Sequence, residues 1–145
     1  MVSPAPHFPG AERRERQDGE PFVGRRAEVA AVLDTVRRVG SPVLVVRGAR
    51  GTGRTRLVEH AMGLLPPEER AGVWALRSTA DLRSRPFGVL AAALPEIAPE
   101  GATDRASMAA RAIIAVRAGA PRAIWVDDAG HLDPATASVF HHLVY

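Results

Sequence analysis

Two short stretches carry residue types whose spacing suits phosphate and divalent-metal chemistry. The first is Gly48-Ala49-Arg50-Gly51-Thr52-Gly53-Arg54-Thr55. Glycines let successive backbone N–H groups converge on phosphate oxygens. A helix opening at this point adds its positive N-terminal end. Thr55 offers a hydroxyl oxygen to Mg2+, and the Arg54 cation would lie against the β- and γ-phosphates. A glycine, four residues, a glycine, a basic residue and a threonine make the P-loop (Walker A) pattern, with Arg54 where lysine is usual. Arginine is a longer, planar fork, whereas lysine is a compact point charge. Phosphate binding can therefore survive the exchange while geometry at the γ-phosphate suffers. All 19 residues of the Lys/Arg class are arginine, so the exchange follows the whole chain's usage.

The second stretch is Ala123-Ile124-Trp125-Val126 followed by Asp127-Asp128. An apolar strand ending in two acids is the Walker B pattern. Asp127 would hold Mg2+, usually through water, and Asp128 would polarise or position an attacking water. Each stretch also has a plain structural reading, as a glycine-rich turn and as a solvated or helix-capping acidic pair. Their order, with Asp127 72 positions after Thr55 and one strand between them, favours the functional reading. Arg47, Arg50 and Arg56 flank the loop and could add anion attraction, although solvated arginines are the simpler account. Arg50 and Arg56 stay among the nucleotide-binding candidates. His60, His131, His141 and His142 do not have the spacing of a metal set.

These residues need elements to position them. Arg26 to Val39 carries Val29, Val32, Leu33 and Val36 at helical spacing, with Gly40, Ser41 and Pro42 as a stop. Val43–Val46 is a short β-branched run that predicts a strand buried on both faces. A helix from about Arg54 to Leu65 follows the loop and ends at Pro66–Pro67. Val73–Leu76 predicts a second strand, residues 78–86 an irregular polar stretch, and Phe87–Leu94 a short helix closed by Pro95. Thr103 is the expected N-cap of a helix running to about Ala118. Ala123–Val126 is the third strand. Asp133 and Pro134 are the expected N-cap and first residue of a last helix bearing Ala137, Phe140 and Val144. Trp74 and Trp125 read as core residues.

Alternating strands and helices predict an α/β fold: a P-loop NTPase-type parallel sheet with flanking helices, incomplete, with three strands in view. Both motifs sit at carboxyl ends of strands, where such sheets bind ligands. Residues 1–20 are rich in proline, glycine and mixed charge and are expected to be a disordered N-terminal tail. Residues 21–145 are expected to form a partial P-loop NTPase domain, running from the Walker A loop to just past Walker B.

Composition narrows the function classes. The 145 residues suffice for one domain, and the absence of cysteine excludes disulfides and thiolate metal sites. Neither a secretory signal nor a membrane-length apolar run is found, so a cytoplasmic location and no membrane partner are expected. Net charge is +3 although the isoelectric point is 10.8. Arginine with no lysine or cysteine and one tyrosine leaves little to titrate above neutrality, which reconciles the two numbers. Basic residues are not concentrated or interleaved with aromatics, so direct DNA binding by this segment is not expected.

Three segments together resemble one family. Phe22-Val23-Gly24-Arg25-Arg26-Ala27-Glu28 is similar to the FVGRxxE opening of AAA+-related signalling ATPases. Gly48–Leu57 is similar to their GxxGxGKTRL, and Asp127-Asp128 with His131-Leu132-Asp133-Pro134 is similar to their DDxHWxDP. The combination most resembles the ATPase region of large LuxR-type transcriptional regulators, within the STAND class, and AAA domains of the origin-recognition and replication-loader type. It spans about residues 21–145. Arg54 departs from the family's lysine, His131 from its tryptophan and Gly130 from its histidine.

The resemblance implies ATP and Mg2+ as cofactors. It places Val23, Gly24 and Arg25 near adenine and ribose, and Gly48, Ala49, Arg50, Gly51, Thr52, Gly53 and Arg54 around the phosphates. Thr55 and Asp127 would hold Mg2+, and Asp128 would take the water-activating place. In such regulators nucleotide exchange or hydrolysis switches assembly, and a separate helix-turn-helix binds DNA. The family also inserts the strand after Walker B between the two motif strands, and that strand would begin beyond residue 145. The expectation is therefore an ATP-binding switch module, with or without hydrolysis of the ATP, that has ATP and ADP as partners. Self-association, or the rest of a larger regulator, would be further partners. The alternative is a truncated module that binds nucleotide or a partner without turnover. With that strand beyond residue 145, the 145-residue chain by itself is expected to be a poor ATPase.

Overall fold

The computed structural model describes residues 24–38, 40, 42–97 and 104–145. The expected N-terminal tail, Val23 and Thr103 lie outside them. Helix α1, Arg26–Arg37, forms because Val29, Val32 and Val36 share one face, and that face is buried. Helix α2, Arg54–Gly63, buries Leu57, Val58, Ala61 and Met62. Proline does not simply end it. Pro67 opens a further short helix, α3, Pro67–Ala71, where its missing N–H costs nothing. Strand β1 is Val73–Arg77. Two short helices follow, α4 at Ala80–Arg83 and α5 at Gly88–Ala93, then a 3₁₀ turn at Pro95–Ile97. Helix α6 is Arg105–Gly119, strand β2 is Ala123–Asp127, and a 3₁₀ turn at Ala129–His131 leads to helix α7, Pro134–Val144.

β1 and β2 pair in parallel, with Val73 opposite Ala123 and Arg77 opposite Asp127. Side chains alternate across the two faces, and two hydrophobic clusters follow from that alternation. Val73, Ala75, Ala123 and Trp125 face the apolar sides of α1 and α2. Trp74, Leu76, Ile124 and Val126 face Phe87, Leu90, Ile97, Ala112, Val116 and Val139. The result is helices over both faces of a small parallel sheet.

Three expectations are corrected. Val43–Val46 is not a buried strand, and among the described residues the sheet has two strands, not three. The run has no ladder partner among the described residues, and Val43, Leu44 and Val45 are 61%, 42% and 62% exposed. Val46 alone packs on the α1–α2 cluster. β-branched side chains suit a strand, but a ladder also needs a neighbouring backbone, which composition does not report. The cap of α6 is Asp104, not Thr103: its carboxylate accepts from Ala106 N at 3.1 Å and Ser107 N at 3.0 Å. In α7 the buried residues are Thr136 and Val139 while Ala137 is exposed, because the Asp133 cap turns Thr136 inward. Among the described residues, no helix is long and apolar enough to cross a membrane.

Candidate nucleotide site

The loop between Arg47 and α2 is compact. Thr52 N–H donates to Ala49 O at 3.3 Å, and Thr52 Oγ1 donates to the same carbonyl at 2.8 Å. Gly53 sits at φ 76° as the residue before α2, a left-handed conformation that glycine adopts without cost, and Gly51 is similar at 81°. At Gly48 the constraint is closeness. A Cβ there would lie 2.6 Å from Thr52 Oγ1 and 3.6 Å from Arg54 Cγ. The Arg54 stem thus folds back over the start of the loop and is half-buried. Ala49, Arg50, Gly51 and Thr52 are exposed at the tip.

The two motifs meet. Thr55, in the first turn of α2, donates its hydroxyl to Asp127 Oδ1 at 2.9 Å. Both residues are half-buried. This brings one hydroxyl and one carboxylate oxygen together at the carboxyl end of β2, beside the opening of a helix. Hard oxygen donors of this kind suit a hydrated Mg2+, so the residues present fit the ion. Asp128 is exposed at φ 52° and starts the 3₁₀ turn, with His131 N–H donating to its carbonyl at 2.9 Å.

Neighbouring loops brace this end of the sheet. Ser78 N–H donates to Asp127 O at 3.0 Å, continuing the ladder, and its buried hydroxyl has no partner among the described residues. Arg83 Nη1 reaches Gly130 O at 3.5 Å. Asp133 is 1% exposed and does more than cap α7. Its Oδ1 accepts from Ala135 N and Thr136 N, each at 3.0 Å, and from Phe87 N at 2.9 Å, while Thr136 Oγ1 donates to Oδ2 at 2.6 Å. The cap was legible in Asp133-Pro134; the bond to Phe87 spans 46 residues and left no local signal.

Other expected residues precede α1 or lie along α2. Gly24, at φ 86°, and Arg25, at φ 54°, precede α1. Gly24 borders a cavity of about 490 Å3 with Arg26, Val29, Ala30, Leu33, His60 and Leu64. His60 and Leu64 lie about one to three turns beyond Thr55 along α2. Arg56 is exposed on the first turn of α2.

The model of the AAA ATPase domain family matches residues 21–109. No curated protein and no solved structure matches the chain. The matched region contains the phosphate loop and β1 but stops before β2, so Asp127 joins the loop through the fold itself. With more than half of its length matched and a compact phosphate-type loop at the head of α2, the chain belongs to the AAA ATPase domain family.

Proposed function

We propose that the chain is an ATP-binding switch module of a signalling or transcriptional-regulator ATPase. Family membership supports nucleotide binding, and the observation that carries the fuller reading is the Thr55–Asp127 hydrogen bond. In this reading the phosphates rest on the amides of Gly48 to Gly53, with Arg54 against their outer oxygens and Arg50 and Arg56 adding positive potential. Thr55 and Asp127 hold Mg2+, which when bound neutralises phosphate charge and makes the γ-phosphate a better electrophile. Asp128 accepts a hydrogen bond from the attacking water and orients it. Val23, Gly24 and Arg25 serve the adenine and ribose, Gly24 from the wall of its apolar cavity. ATP and ADP are the small-molecule partners, and the rest of a larger regulator or a second copy is the readout.

The test is a titration of labelled ATP, with and without Mg2+, against the chain and its Arg54→Ala and Asp127→Asn variants. Loss of a charge-assisted contact should weaken binding by about tenfold in each variant, and for Asp127→Asn chiefly in the presence of Mg2+. Equal affinity in all three proteins would remove the assignment. Phosphate release over many turnovers separates a hydrolase from a module that binds without turnover.

A further inference from the structure

We infer that Arg77 is the residue that recognises the γ-phosphate, a positioning cation that makes this site prefer a nucleoside triphosphate to a diphosphate. The inference rests on the nucleotide reading above and adds a residue to it.

Arg77 ends β1 and stands in register with Asp127, which ends β2. Adjacent strands lie about 4.8 Å apart, and residues in register project to the same face. Packing identifies that face. Val73 and Ala75 on β1, and Ala123 and Trp125 on β2, contact the α1–α2 cluster, and the alternation continues to Arg77 and Asp127. Asp127 meets Thr55 of α2 on that side. A guanidinium is therefore rooted beside the carboxylate, at the sheet edge where α2 opens.

Arg77 is exposed and makes no ion pair among the described residues. Arg37, by contrast, is bonded to Glu69, and Arg83 reaches the Gly130 carbonyl. An arginine fork with donors to spare suits the planar spread of phosphate oxygens. Its root is rigid, because the ladder continues past it through Ser78 N–H to Asp127 O. Groups rooted on strands are held more closely than groups on loops.

The choice of phosphate follows from position. The α- and β-phosphates belong to the loop at the head of α2. A metal held by Thr55 and Asp127 would be shared by the β- and γ-phosphates; the γ-phosphate, outermost from the loop amides, is the one that would reach the side chain beside Asp127. A diphosphate lacks it. With Arg54 in place of a compact lysine charge, a second fork at the end of β1 gives the terminal phosphate a contact from the sheet side.

The test compares ATP and ADP affinities, in Mg2+, for the full chain and its Arg77→Gln and Arg77→Lys variants. Arg77→Gln should weaken ATP about tenfold and leave ADP unchanged, and Arg77→Lys should recover part of the ATP affinity. If Arg77 only balances the charge of Asp127, both nucleotides shift together, and if it is merely solvated neither shifts; either result overturns the inference. A wild-type chain that binds neither nucleotide overturns the nucleotide reading and this inference with it, whereas an unchanged Arg77→Gln over a binding wild type overturns the inference alone.

Discussion

Thr55 Oγ1 donates to Asp127 Oδ1 at 2.9 Å, joining the first turn of α2 to the last residue of β2 across 72 positions of chain. The contact fastens the phosphate-type loop to the sheet. It also determines which face of β2 carries the acid, since Trp125 two residues earlier packs toward α1 and α2. Removing either partner should cost about 0.5–1.5 kcal/mol in urea unfolding. Thr55→Ala and Asp127→Asn together should cost less than the two single changes combined, because they delete one shared bond. Strict additivity would show that the two side chains do not meet in solution.

Asp133 is the more demanding position for stability. Asp133→Ala leaves the N–H groups of Phe87, Ala135 and Thr136 without their acceptor in a buried place. Loss of an N-cap and burial of unpaired donors together should cost about 2–4 kcal/mol. Asp133→Asn keeps an acceptor oxygen and should cost less. Equal losses for the two variants would mean that charge, not hydrogen bonding, matters at this position.

Val45 and Val73 test the corrected strand. Val45 is 62% exposed and Val73 is 2% exposed. Val45→Thr should change stability by no more than about 0.5 kcal/mol. Val73→Thr buries a hydroxyl in an apolar cluster and should cost about 1–3 kcal/mol. A large loss from Val45→Thr would restore the buried strand.

Asp104 gives a pH dependence. Hydrogen bonds from the Ser107 hydroxyl, Ser107 N and Ala106 N hold its carboxyl below the ordinary value. The folded chain therefore binds fewer protons here than the unfolded chain. The cap's contribution is complete above the unfolded pKa of about 3.9 and disappears as pH falls through the lower folded value. The gap in thermal midpoint between wild type and Asp104→Ala should be constant from neutrality down to about pH 5 and close below about pH 4. A gap that persists unchanged in acid would contradict an ionised cap.

Some features of this protein are local and therefore visible in the chain itself. Glycine spacing at Gly48, Gly51 and Gly53 specifies a tight loop because backbone conformation there depends on the missing Cβ. The valines of α1 and the Asp133-Pro134 start of α7 likewise report themselves through periodicity and capping. β1 and β2 were legible as apolar runs of strand length.

Pairing was not legible. Val43–Val46 has the same β-branched character as a central strand yet stands exposed, because a ladder depends on a neighbour that side-chain composition cannot specify. The α3 helix and the Phe87–Asp133 bond were missed for related reasons, one being a single turn and the other a long-range contact. The sequence by itself determined which residues could meet a phosphate and a metal, since those choices are written in side-chain chemistry. Only the tertiary structure decided that Thr55, Asp127 and Arg77 share one end of one sheet face, since parallel register and helix packing join residues that the chain keeps far apart.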